Sequence, residues 1–103
     1  MPGPDVRPPA LLCNRLTSLL PALQRAYPRR GEFDPPILVV APGQWVDALT
    51  EACRGYDAEV MYVGNKNLVV RRPYVMIAVG SVAPVVEQSL RLVPGGLYMR
   101  FED

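Results

Sequence analysis

Tyr74-Val75-Met76-Ile77-Ala78-Val79-Gly80 is an apolar run, rich in β-branched residues, that ends in glycine. With no charged or amide side chain on either alternating set of positions, it reads as a strand buried on both faces. A strand of that kind needs helices above and below it. The segment after it, from Ser81 to Val93, returns to helical spacing, so the run feeds a helix and the local unit is strand, turn, helix.

Working outward, Arg71-Arg72-Pro73 separates this strand from Leu68-Val69-Val70, and the turn-forming tetrad Gly64-Asn65-Lys66-Asn67 precedes that. A β-hairpin between Glu59–Val63 and Leu68–Val70 is expected, which would make the sheet mixed. Upstream, Ile37-Leu38-Val39-Val40 is a second apolar strand, closed by Ala41-Pro42-Gly43. Trp45, Leu49, Ala52, Cys53 and Tyr56 then keep helical spacing until Gly55 offers a stop. Residues 37–63 thus form a β-α-β unit with parallel pairing expected.

Between Ala10 and Tyr27, Leu12, Leu16, Leu19, Leu20 and Leu23 form the apolar stripe of an amphipathic helix, with Pro21 expected to kink or split it near Leu20. Downstream of the central run, Ser81 is placed to cap a helix and Pro84 belongs in its first turn. Val82, Val85, Val86, Leu90 and Val93 are its apolar stripe. Pro94-Gly95-Gly96 ends it, and Leu97-Tyr98-Met99-Arg100-Phe101 alternates as a last strand with Arg100 turned to solvent. The expected fold is a single α/β domain over residues 10–103, a small mixed sheet covered by about three helices. Residues 1–9, with Pro2, Pro4, Pro8 and Pro9, form an extended arm, since prolines at that density exclude helix and central strand.

Composition limits the chemistry. A chain of 103 residues is one domain, short for separate cofactor and substrate lobes. Half of the residues are hydrophobic and a fifth charged, which places it among globular rather than disordered chains. Eleven basic and ten acidic residues give a net charge of +1, too small a field to point to nucleic acid or a membrane surface. There is no histidine, hence no ordinary general base near neutrality and none of the commonest metal ligand. Cys13 and Cys53 lie in no CxxC pattern and read first as reduced, structural thiols on apolar helix faces, with a disulfide between them as the minor reading. No apolar run reaches membrane-spanning length and the start is no secretory leader, so a cytoplasmic or virion setting is expected.

Each site candidate has a structural reading beside it. Pro42-Gly43 lies where backbone N–H groups can cradle a phosphate, but it has neither the glycines of a dinucleotide fingerprint nor a P-loop ending. Asp47 and Glu51, one helical turn apart, read as a solvated face without a third ligand. Ser81 has no activating base, which makes it a cap rather than a nucleophile. Arg29-Arg30 after Tyr27, and Arg71-Arg72 before Tyr74, are partner-facing or ion-paired surface, and Asn65, Lys66 and Asn67 form an exposed loop beside them in the candidate set. Trp45, Tyr56 and Tyr62 are core or interface aromatics. Pro2, Pro4, Arg7 and Pro8 are the arm residues expected to pack on this domain or on a neighbour.

Two resemblances add to this. Tyr74–Phe101, with its Leu92-Val93-Pro94-Gly95-Gly96-Leu97 turn, resembles the late part of a class I S-adenosylmethionine-dependent methyltransferase. The resemblance implies a cofactor loop after the first strand and an acidic residue after the second. Here those places hold Ala41-Pro42-Gly43 and Gly64-Asn65, so the likeness implies at most a degenerate, inactive relative or a small-ligand or nucleotide-binding domain. Residues 35–74 are similar in order to late segments of phage major head proteins, which implies a virion-type assembly component. The residues together lead to the expectation of a non-enzymatic structural or interaction protein without cofactor or metal. It would be a subunit of a homo-oligomer or of a larger assembly, such as a phage capsid-associated, connector or tail protein.

Overall fold

The computed structural model describes residues 8–29, 35–66, 68, 72–88, 92 and 94–101. In chain order these form α1 (Ala10–Ala26), β1 (Ile37–Ala41), α2 (Val46–Ala52), β2 (Ala58–Tyr62), β3 (Val75–Val79), α3 (Ala83–Gln88) and β4 (Leu97–Phe101), with short 3-10 turns leading into α2 and α3. The single α/β domain and its three helices are as expected. The sheet differs in one respect: its order is β2-β1-β3-β4, and all three pairings are parallel rather than mixed. Of the predicted hairpin strand 68–70, only Leu68 is among the described residues. Its N–H donates to the Asn65 carbonyl at 3.1 Å, a helical turn in place of a ladder.

The central run is β3, and every residue of it is buried, as is every residue of β1 beside it. Parallel strands need helical crossovers, and the helices cover both faces. Ile37, Val39, Ala41, Val75, Ile77 and Val79 pack with α1 and α2, through Leu12, Leu16, Leu20, Leu23, Leu49 and Cys53. The alternate residues Leu38, Val40, Met76 and Ala78 pack with Val82, Ala83 and Val86 of the α3 region. Each such fully buried aliphatic side chain contributes ~1.5–3 kcal/mol relative to exposure, which is why two short strands organise the whole chain.

Two helical expectations are modified. α1 continues through Pro21 as one helix, so the split that was one of the two expected outcomes does not occur. Pro21 has no N–H to donate and its ring crowds the preceding turn, at a cost of ~3 kcal/mol in a helix interior, yet Leu16, Leu20 and Leu23 are buried on both sides of it and hold the two halves on one face. Val85, placed in the apolar stripe of α3, is 54 % exposed, whereas Val82 and Val86 are buried. Leu90 and Val93 lie outside the described residues.

Candidate functional site

In a doubly wound sheet, ligands bind beyond the carboxyl ends of the strands where the chain reverses its direction of travel across the sheet. Here that point lies between β1 and β3, since the chain moves from β1 outward to β2 and then returns to the other side of β1. Its mouth is formed by Pro42-Gly43 after β1 and by Gly80 after β3. Trp45 fills it. The indole is only 8 % exposed, and a Cβ on Gly80 would meet it at 2.8 Å and the Pro42 Cγ at 3.7 Å. Gly80, at φ 70°, adopts a left-handed conformation that lets the chain turn tightly beneath the ring. Tyr62, at the end of β2, is 46 % exposed, its ring 2.7 Å from where a Gly64 Cβ would lie.

The polar candidates do not converge. Because the strands are parallel, residues before them and residues after them lie on opposite rims of the sheet, about five residues at ~3.3 Å each apart. Tyr74 precedes β3 and stands against Tyr27 at the end of α1, ring centroids 6.3 Å apart. Arg29 is on that rim, 3.8 Å from Asp57, in a loose exposed ion pair. Arg72 is exposed ahead of Pro73. Asn65 and Lys66 follow β2 on the other rim, the Asn65 N–H donating to the Tyr62 carbonyl at 3.0 Å. Arg30, Asn67 and Arg71 lie outside the described residues, as do Pro2, Pro4 and Arg7 of the arm; Pro8 is buried. A hollow of about 280 Å³ beside the tyrosine pair is lined by Ala26, Tyr27, Pro28, Tyr74, Pro94 and Gly95.

Other reactive groups are accounted for locally. Glu51 pairs with Arg54 at 2.8 Å on the exposed face of α2. Cys13 and Cys53 are free thiols. Burial pushes the Cys53 thiol up to about 11, with the nearby Cys13 adding to the effect. Among the described residues no three His, Cys, Asp or Glu side chains are grouped to hold a metal ion, and no helix is long and apolar enough to cross a membrane.

The surface feature that sequence reasoning missed lies at the β4 edge of the sheet. Leu11 is 74 % exposed. With Leu19 and Phe101 it lines an open groove of about 450 Å³ between α1 and β4, whose polar rim is Asn14, Arg15 and Ser18. On the opposite face of the same strand, the Tyr98 hydroxyl donates to Glu87 Oε2 at 2.6 Å, and Arg100 reaches the same oxygen at 3.3 Å. The adjacent leucines Leu11-Leu12 were the available sign, since neighbours on a helix point about 100° apart and cannot share one narrow core stripe.

No family model, no curated protein and no solved structure matches the chain.

Proposed function

We propose that this chain is a non-catalytic structural subunit that works by packing against copies of itself, within a homo-oligomer or a larger assembly. The observation that carries the reading is the apolar groove between α1 and β4, with Leu11 74 % exposed beside it. A large aliphatic side chain left in water at the rim of an apolar groove, next to the last strand of the described sheet, is the kind of feature that a protein partner covers. The place where this fold ordinarily takes a small ligand supports the same reading, because Trp45 occupies it. A virion-type particle is the larger assembly to which the resemblance of residues 35–74 leads. Sedimentation velocity or light scattering from about 1 µM to about 200 µM, a span that covers ordinary oligomer affinities, tests the reading: association that Leu11→Glu weakens supports it, and a strict monomer at every concentration overturns it.

A second reading, a small-ligand or nucleotide-binding domain, is favoured by one observation, the strand reversal with Pro42-Gly43 at its mouth. It requires Trp45 to leave the crevice. Stabilisation of the wild-type chain by a nucleotide or S-adenosylmethionine in a thermal-shift panel is its test.

A further inference from the structure

We infer that the hollow beside Tyr27 and Tyr74 takes the segment Pro2-Gly3-Pro4-Asp5 of a second copy, so that copies are joined by exchange of their proline-rich arms. The inference rests on the assembly reading above and names the segment that one copy inserts into the next.

The hollow, about 280 Å³, is walled by two tyrosine rings with centroids 6.3 Å apart and by Pro28, Pro94 and Gly95. A proline-rich segment is the class of peptide that such a wall fits. Its fixed φ holds it near the polyproline II helix, which makes no internal hydrogen bonds and so presents apolar rings and free carbonyls side by side. Proline rings pack on the tyrosine faces while the tyrosine hydroxyls donate to the carbonyls, and a segment so restricted loses little entropy on docking. The chain carries one segment of this kind, with Pro2, Pro4, Pro8 and Pro9 within nine residues. Pro9, which leads into α1, already holds polyproline II backbone at φ −56° and ψ 140°.

Charge orients the arm. Asp5 follows Pro4 directly. Arg72, two residues ahead of Tyr74, is exposed and has no ion-pair partner among the described residues. Seating Pro4 against the tyrosine rings brings the Asp5 carboxylate to the Arg72 side of the hollow, where opposite charges attract.

Reach selects a second copy as the source. α1 separates the root of the arm from the hollow: at ~1.5 Å per helical residue, Tyr27 lies ~27 Å from Pro9. Pro4 stands only ~16 Å from Pro9 in polyproline II geometry, and Pro2 ~22 Å. Neither proline spans its own α1, and a path over the surface is longer still. The arm leaves the domain just ahead of Leu11, so the copy that receives it is held close to the groove that carries the assembly reading.

The test uses the full chain. A photoreactive p-benzoylphenylalanine replaces Pro4, and isotope-labelled and unlabelled chains are mixed before irradiation. Mass spectrometry is expected to find position 4 of one copy cross-linked to Tyr27, Pro28, Tyr74 or Pro94 of the copy carrying the other label. Asp5→Arg is expected to weaken association about fivefold, as loss of an exposed ion pair does at most, and Arg72→Asp in that background to restore it. Both positions are distant from the core, so the fold is retained. Cross-links that fall elsewhere or stay within one copy, or failure of the charge rescue, overturn the arm exchange; association that Leu11→Glu still weakens then leaves the assembly reading standing. A monomer at all concentrations overturns both.

Discussion

Gly80 leaves the space that Trp45 occupies: a Cβ at position 80 would lie 2.8 Å from Cζ3 and 3.1 Å from Cη2 of the indole. Both residues are buried, and the contact joins the turn after β3 to the entry of α2. It converts the crevice between β1 and β3 from an opening into core. Gly80→Ala imposes two costs together, a strained φ of 70° and a clash with the buried indole. The expected destabilisation is ~2–4 kcal/mol, read as a lower urea midpoint with an unchanged slope. A neutral result would mean that the indole moves freely.

Removing the ring tests the same plug from the other side. Trp45→Ala should cost ~3–5 kcal/mol, the range for emptying a large aromatic site. In the wild-type chain, millimolar adenine nucleotides or S-adenosylmethionine should leave Tm unchanged. A rise in Tm for the wild type would transfer the functional weight to the crevice.

The thiols predict an alkaline limit. Cys53 is 3 % exposed, and its pKa is pushed up to about 11 from 9.0, first by burial and then by Cys13. Between pH 9 and about 11 the unfolded chain loses this proton while the folded one keeps it, so stability falls as pH rises. Tyr98 acts in the same direction at higher pH, raised to about 12 from 10.0 by burial and by the hydrogen bond to Glu87. Chemical denaturation at pH 8, 9.5 and 10.5 should show the decline, and Cys53→Ala should flatten its first part. At pH 8 a thiol reagent should label Cys13 well before Cys53.

Most of this fold is legible along the chain because its strands are apolar runs and its helices carry regular stripes. Ile37–Val40, Glu59–Val63, Tyr74–Val79 and Leu97–Phe101 each fall within a residue or so of the strands that form. What escapes depends on contacts between distant positions. Leu68-Val69-Val70 has the composition of a hairpin partner, yet Leu68 turns back on Asn65 and the sheet order is settled by β3 pairing with β1. Trp45 reads as a helix-face aromatic, and only its contact with Gly80 shows that it closes the crevice. The Arg pairs and the 64–67 loop stand out in the sequence because charge and turn residues are visible one at a time. Leu11, Glu87 and Phe101 acquire meaning only when α1, α3 and β4 are brought together.

Gln24 and Asp57 supply a test of how α1 is held against the rest of the domain. The side-chain oxygen of Gln24 accepts the Asp57 backbone N–H at 2.9 Å, linking the last turns of α1 to the start of β2. The bond is partly buried, and Gln24→Ala leaves that N–H with no protein acceptor while removing little apolar packing. The expected cost is ~1 kcal/mol, the usual net worth of one such bond. Gln24→Glu keeps an acceptor at the same reach and should recover most of the loss, although its charge would then face Asp57. Amide exchange distinguishes this local account from general loosening of the helix: in Gln24→Ala the Asp57 amide should exchange faster, while the amides of β1 and β3 change only in step with global stability.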